Sequence, residues 1–361
     1  MTSAIFANNL TGFSKASIVL VVLLTVQFGM ALNYYIFIYK PGMLFPTSKI
    51  SGQPRTAVSV ALVKGALKEN AAPTKKNESG TIDEKQQCPI TSPLLKGPFQ
   101  VQWDNELTLK TVRKQNPKLR AGGRWKPPNC NAIQKVAIVI PFRHREQHLK
   151  FWLYYVHPFL QRQQLDYGVY VVNQDGENKF NRAKLMNVGF TEALKEYDYD
   201  CFVFSDVDII PLDDRNTYRC FKQPRHLAVS MNKFHFGLPY RTYVGGVLAL
   251  SKEQYMKING FPNNYWGWGG EDDDMYKRLR IRGMWLSRPD RVKGRCKMIG
   301  HKRDKHNESN PKRYYKLRNT RQTIDSDGIN SLQYKVVNIE KDQLFTKITV
   351  DIGSPPRKST S

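Results

Sequence analysis

The sequence predicts an α/β domain organised around a mainly parallel sheet. Short apolar runs at residues 136–140, 168–172 and 201–204 read as buried strands, and the stretches 146–160 and 181–197 between them read as helices. The third run leads directly into Ser205, Asp206, Val207 and Asp208. Strand, helix, strand, helix, strand in series requires right-handed crossovers and parallel neighbours. The first run ends at Pro141, and the first helix is expected to be interrupted late by Pro158. Ligands of such sheets bind beyond the carboxyl ends of the strands. Arg143 and Arg145 follow the first strand, and Asp206 and Asp208 follow the third, so chain geometry alone brings them to one edge.

Upstream, the 361-residue chain changes character twice. Residues 1–15 read as a cytoplasmic tail. Residues 16–39 are almost wholly apolar, which matches the roughly 20 residues needed to span a bilayer as a helix and exceeds the usual apolar core of a cleaved signal peptide. Residues 40–87 are rich in Pro, Ser, Thr, Lys, Gly and Asn with little apolar periodicity, the composition of a flexible stem. Ordered structure is expected from Cys88, so that 88–361 is the folded domain. Lys15 and Lys40 balance across the anchor and leave its orientation open. The sequons at Asn77 and Asn307, with five cysteines, point to an oxidising lumen and a type II anchor.

The formal charge of +25 suggests nucleic acid as a partner, but the basic residues are spread through the domain without a nucleic-acid motif. No nucleic-acid partner is expected. A nucleotide diphosphate or an anionic membrane surface calls for the same positive surroundings. Five cysteines leave at least one unpaired, and sequence alone does not fix the pairing.

Two motifs carry chemistry. In Asp206-Val207-Asp208, extended backbone turns positions i and i+2 to one face, so both carboxylates address one ligand, and a divalent cation requires such oxygen donors. A surface turn explains most such pairs; their place at the end of an apolar run makes this one more specific. In Phe-Pro-Asn-Asn-Tyr-Trp-Gly-Trp-Gly-Gly-Glu-Asp-Asp-Asp (261–274), Trp266 and Trp268 alternate with glycines directly before four acids. Glycines cost backbone entropy and make poor core, but they suit a loop that closes an aromatic surface over a polar ligand. Glu271 to Asp274 also open an amphipathic stretch with Met275, Leu279 and Ile281 as apolar points, and acids at a helix start are favoured by the macrodipole alone.

That run resembles the signature of the β-1,4-galactosyltransferase family. So do PFRHREQHL (141–149), FNRAKLMNVGF (180–190), FSDVDIIP (204–211), YVGGVLAL (243–250) and GRCKMIGH (294–301), which occur in the family's order. The resemblance extends from about Cys88 to the end of the chain. It implies the Rossmann-like GT-A fold, a Golgi type II membrane enzyme, and an inverting transfer of galactose from UDP-galactose to the 4-hydroxyl of N-acetylglucosamine-terminated glycans. It implies the disulfides Cys88–Cys130 and Cys201–Cys220, with Cys296 a free thiol beside a metal site. The implied metal ligands are Asp208, Met298 and His301, and the implied cofactor is Mn²⁺, which suits carboxylate and imidazole beside a soft thioether.

Carried over position by position, the donor site comprises Pro141, Phe142, Arg143, Arg145, Phe180, Arg182, Asp206, Val207, Lys233, Tyr243, Trp268 and Glu271. Four adjacent acids make the catalytic base impossible to assign from physics, and the resemblance assigns it to Asp272. Asp272 and Asp273 would also hold the acceptor, with Tyr240, Gly246, Arg313, Tyr314 and Leu317. Two positions depart from the family: Val244 replaces the Phe of Tyr-Phe-Gly-Gly, beside the donor pocket, and Lys297 replaces the Arg of Cys-Arg-Met.

Two other readings compete. One keeps the enzyme class with UDP-N-acetylgalactosamine as donor, against which a bulky Tyr243 counts. The other is a cell-surface lectin without turnover, against which the intact metal and base set counts. A second copy of the chain or a regulatory partner stays open, as does the physiological acceptor. Residues 299–319, basic and with Ile299, Tyr314, Tyr315 and Leu317 as their strong apolar points, are expected to form a lid whose position depends on nucleotide, moving with the Trp268 loop.

Overall fold

The computed structural model describes residues 85–302 and 304–356. The expected tail, anchor and Asn77 lie outside them, as does all but the end of the stem. Among the described residues no helix is long and apolar enough to cross a membrane.

In chain order the main elements begin with α1 (Leu109–Gln115), β1 (Lys135–Phe142), α2 (Glu146–Arg162), β2 (Asp166–Gln174), α3 (Arg182–Glu196), β3 (Cys201–Ser205) and β4 (Ile209–Pro211). They continue with β5 (Arg225–His226), β6 (Ser230–Met231), β7 (Val247–Ser251), α4 (Lys252–Lys257), α5 (Glu271–Ile281) and β8 (Arg295–Met298). The chain ends through α6 (Arg313–Arg318), α7 (Thr320–Thr323), β9 (Lys335–Lys341) and β10 (Thr346–Asp351).

The large sheet has the order β5-β7-β3-β1-β2-β10-β9. Its four central strands, β3, β1, β2 and β10, are parallel, while β7 and β9 join antiparallel on either side. The sheet is therefore mixed, with the expected parallel part at its centre. A small sheet, β4-β8-β6, stands at the strand-end edge. The central strands read as continuous apolar runs because both of their faces are covered. Val136, Ile138 and Ile140 belong to the core that also contains Trp152 and Phe159 of α2, and Ala137 and Val139 to the core beneath Leu185 and Val188 of α3.

Pro158 does not interrupt α2, which continues to Arg162. Proline removes one backbone bond, but Trp152, Val156, Phe159 and Leu160 are fully buried around it, and that packing holds the last turn in place. Asn181 caps α3, its side chain accepting the Lys184 N–H. Gly189 lets α3 lie on the sheet, since a Cβ there would approach Val139 Cγ1 to 2.3 Å.

Cys88–Cys130 and Cys201–Cys220 are bonded. Cys296 on β8 is a free, fully buried thiol whose pKa is pushed up to about 12 by burial. Buried Asp214 ties the first described segment to the domain. Its carboxylate accepts the Lys96 and Gly97 N–H groups at 3.0 and 2.8 Å and the Arg162 Nε–H at 2.6 Å.

Two buried imidazoles make the domain acid-sensitive. His157 lies 2.9 Å from the Tyr167 hydroxyl and donates to the Leu344 carbonyl at 2.8 Å; His226 contacts the Gly245 carbonyl at 2.8 Å. Burial lowers their pKa values to about 4 and about 3. Unfolded histidine takes up its proton near 6.5, so the unfolded state gains relative to the folded one as pH falls from about 6.5 towards 4, and stability is lost over that window. Urea denaturation across this range should show a slope approaching about 1.4 kcal/mol per pH unit for each ring. His157→Gln should remove its share; an unchanged slope would rule the ring out as a source.

Candidate active site

Beyond the carboxyl ends of β1 and β3 lies a cleft of about 790 Å³. Pro141 and Arg143 reach it from the end of β1, Asp206, Val207 and Asp208 from the end of β3, and Phe180 and Arg182 from the start of α3. Lys233, Tyr240, Tyr243 and Gly246 form one wall. Trp268, Glu271, Asp272, Asp273, Arg313, Tyr314 and Leu317 form the other, with Arg145, Met298 and His301 at one end. All the donor, acceptor and metal residues carried over from the resemblance line this cleft except Phe142. Adjacent strand residues face opposite ways, and the Phe142 ring turns into the core behind the edge. Val244 is likewise buried in the core, so it does not shape the cleft.

Arg182 organises the acids. Its Nε–H donates to Asp206 Oδ1 at 2.6 Å and its NH1 to Asp272 Oδ1 at 2.8 Å, with Glu271 Oε1 3.6 Å away. Burial works against the guanidinium charge, but Asp206, Asp272 and Glu271 outweigh it and raise its pKa. Burial raises the pKa of Glu271 and of Asp206; neighbouring Asp272 adds to both, and Arg182 opposes.

Position sorts the four acids that sequence left equivalent. Asp274 is buried, accepting from Tyr265 OH at 2.9 Å, Arg278 Nε at 2.7 Å and Thr320 Oγ1 at 2.9 Å, which makes it structural. Glu271 is buried beside Arg182. Asp273 accepts from Tyr240 OH at 2.9 Å. Asp272 remains, held by Arg182 and open to the cleft.

At the other end, His301 Nε2 lies 3.0 Å from Asp208 Oδ2. The Nδ1 is 2.8 Å from an Arg145 guanidinium nitrogen and 2.7 Å from the Lys302 carbonyl, so it accepts from the arginine in one tautomer and donates to the carbonyl in the other. In the second tautomer the Nε2 lone pair faces a carboxylate, and only a proton or a cation can bridge them. The Asp208 hydrogen bond is also the chief cause raising the His301 pKa. With Met298 at the same end of the cleft, the set offers oxygen, nitrogen and sulfur donors, and it fits a divalent transition-metal ion.

Tyr243 stands against Phe234, Tyr240 and His226 with ring centroids 5.4–5.8 Å apart. Gly245 makes room for it, because a Cβ there would lie 2.5 Å from the Tyr243 hydroxyl. The Asp206 N–H bonds the Gly246 carbonyl at 2.9 Å, joining this wall to the acids.

Described residues of the basic stretch 299–319 hydrogen-bond the Trp268 loop and the start of α3. The Trp268 N–H donates to Glu308 O at 2.8 Å and the Asn310 N–H to Trp268 O at 2.9 Å, while Gly267 N–H and Phe180 N–H bond Phe180 O and His306 O at 2.7 and 2.9 Å. Arg145 pairs with Asp304, and the Arg313 guanidinium lies 5.8 Å over the Trp268 ring. Sequence reading saw a stretch unable to bury enough of itself, but the loop supplies backbone partners that composition does not reveal. It also missed His148 and Asp304 as lining residues, for which no local pattern stands out. Asn307 lies on the cleft wall, half-exposed.

Gly267→Ala should loosen this docking. At φ 82° an L residue is strained, and its Cβ would lie 2.5 Å from Glu308 O. Trypsin should then cut within 302–318 several-fold faster, about 3- to 10-fold for roughly 1 kcal/mol of lost docking. Equal cleavage in the two proteins would show that the loop does not hold the stretch.

Residues 88–221 match the family model described as the N-terminal region of glycosyl transferase group 7, and 225–302 match that of the N-terminal domain of galactosyltransferase. The chain is 63% identical to β-1,4-galactosyltransferase 1 of Bos taurus over 268 residues, 74% of this chain and 67% of that protein. It is 58% identical to β-1,4-galactosyltransferase 2 of Homo sapiens over 265 residues, 73% and 71% of the two. Among solved structures, a mutant Drosophila β-1,4-galactosyltransferase 7 in complex with manganese, UDP-Gal and xylobiose superposes with a TM-score of 0.54 at 31% identity, covering 61% of this chain and 95% of that one.

Proposed function

Because the chain belongs to the β-1,4-galactosyltransferase family, we propose that it transfers galactose from UDP-galactose to the 4-hydroxyl of terminal N-acetylglucosamine, with inversion and with Mn²⁺ as cofactor. The observation that carries this reading is Asp272, the one acid of the four that lines the cleft and accepts a hydrogen bond from Arg182.

Inverting transfer needs one base beside the acceptor hydroxyl, on the face opposite the leaving group. Asp272 Oδ1 is anchored by Arg182, so its second oxygen is the one available to take that proton. Asp273 and Tyr240, already hydrogen-bonded to each other, present a polar edge to the acceptor sugar. Tyr314 and Leu317 give its apolar face a surface to lie on. Arg143, Arg145 and Lys233 bring positive charge towards the diphosphate, and such charge counts most where negative charge grows in the transition state. Asp208, Met298 and His301 would hold the metal, which when bound supplies Lewis-acid stabilisation of the departing diphosphate. Closure of the 299–319 stretch and Trp268 over the bound substrates would exclude water from the reaction. We extend the reading to a lumenal enzyme of the Golgi membrane, with residues 16–39 as its anchor, on the strength of the apolar run and the sequons.

Asp208→Ala and His301→Ala should each abolish Mn²⁺-dependent transfer, whereas Met298→His should bind Mn²⁺ more tightly, since imidazole replaces a weak thioether. Titration calorimetry giving one Mn²⁺ affinity for all four proteins would remove this ligand set.

Donor choice rests on Tyr243. Tyr243→Leu opens the space its ring fills, and transfer from UDP-N-acetylgalactosamine should rise relative to UDP-galactose by about 10- to 200-fold, the range for a steric change of this size. An unaltered donor ratio in competition assays would show that the gate lies elsewhere.

A further inference from the structure

A second cavity, about 380 Å³, shares no lining residue with the catalytic cleft. It lies between the first described segment and the turns around β5, and its lining is strongly basic, with Arg215, Arg219, Arg225, Arg288 and Lys293 against Asp290 alone. Part of that charge is already balanced. Arg215 pairs with Asp213, and Lys293 lies 2.9 Å from Asp290. Arg219, Arg225 and Arg288 have no carboxylate partner among the described residues. Arg219 and Arg225 both lie over the Phe221 ring, at 5.5 and 4.3 Å from its centroid, two like charges sharing one aromatic partner. The Arg225 Nε is buried without a hydrogen-bond partner. Burial lowers the pKa of both, and the Arg219 charge lowers that of Arg225 further. Like charges left together and partly desolvated cost free energy that a bound anion would return.

We propose that this cavity is an anion-binding site for a tetrahedral oxyanion, sulfate or phosphate, either free or carried as an ester. Arg219 and Arg225, which have no carboxylate partner, and the remaining guanidinium nitrogen of Arg288 supply more donors than one carboxylate can accept, and guanidinium forks match the oxygens of a multiply charged tetrahedron. Among the mostly polar lining, Ile90, Leu95 and Phe221 are apolar, with Ile90 76% exposed, which suits the carbon skeleton of an ester. The site is also built in place. Cys88–Cys130 and the Asp214 contacts to Lys96 and Gly97 fix the segment carrying Ile90.

The cavity touches the donor wall through Arg288, which donates to His226 Nδ1 at 3.3 Å and to the Arg241 and Tyr243 carbonyls at 2.9 Å each. Its ligand would therefore sit one guanidinium away from the backbone that places Tyr243.

The test is calorimetric titration of the full chain in detergent at constant ionic strength, with inorganic sulfate in one arm and phenyl sulfate in the other. Saturable binding should appear. Arg219→Ala combined with Arg225→Ala should weaken it at least about tenfold, as expected for lost charge-assisted hydrogen bonds. The paired Arg→Lys changes, which keep the charge, should cost less than the paired alanines. Tighter binding of phenyl sulfate identifies an ester as the ligand and tighter binding of inorganic sulfate the free ion; either supports the site. If the double alanine variant fails to melt cooperatively, Arg219→Ala alone decides. No saturable binding in either arm, or equal affinity with and without these arginines, overturns the proposal.

Discussion

The active cleft depends on one guanidinium. Asp206 comes from the end of β3, Glu271 and Asp272 from the start of α5, and nothing in the chain between them forces them together. Arg182, at the first position of α3, bonds Asp206 and Asp272 and stands beside Glu271. Three carboxylates gathered in a half-buried edge would repel one another and lose hydration; removing a partner from a buried ionic group costs about 3–5 kcal/mol. The α/β layer and the later, aromatic-rich part of the domain are joined at a charge cluster that is stable only as a whole. Asn181, capping the same helix, donates to the Asn263 carbonyl at 2.7 Å and strengthens the same seam.

How legible this was depended on the range of the interaction. β1, β2 and β3 announced themselves because strands covered on both faces are written as unbroken apolar runs. The small sheet and the C-terminal hairpin of β9 and β10 did not. β4, β5 and β6 are two or three residues long, and β9 is largely exposed. Phe142 was placed in the cleft because its motif neighbours belong there, although the period-two alternation of a strand already argues against it. The four acids could not be told apart from spacing, since their difference lies mostly in partners 33 to 90 residues away in sequence: Asp272 takes Arg182, Asp273 takes Tyr240, and Asp274 takes Thr320 besides the nearby Arg278.

The basic stretch after His301 illustrates the same limit. Its composition describes a segment that cannot order itself; main-chain hydrogen bonds join it to the Trp268 loop, and no side-chain pattern encodes them. Glycine at 267 and 270 is what lets the two backbones approach, because a Cβ at either place would lie within 3 Å of the opposing chain. Loop and stretch thus share one surface, and any force on one is felt by the other.

The odd cysteine has a consequence of its own. Cys296 sits on β8 with no exposed surface and a thiol held protonated. Disulfide exchange requires a thiolate that can reach another sulfur, and Cys296 in the folded domain offers neither. An unpaired thiol can therefore coexist with two disulfides in an oxidising compartment without reshuffling them. The same seclusion makes it an internal clock for opening: an alkylating reagent will reach it only as fast as β8 leaves the core, so its labelling rate counts the excursions of this protein from its folded state.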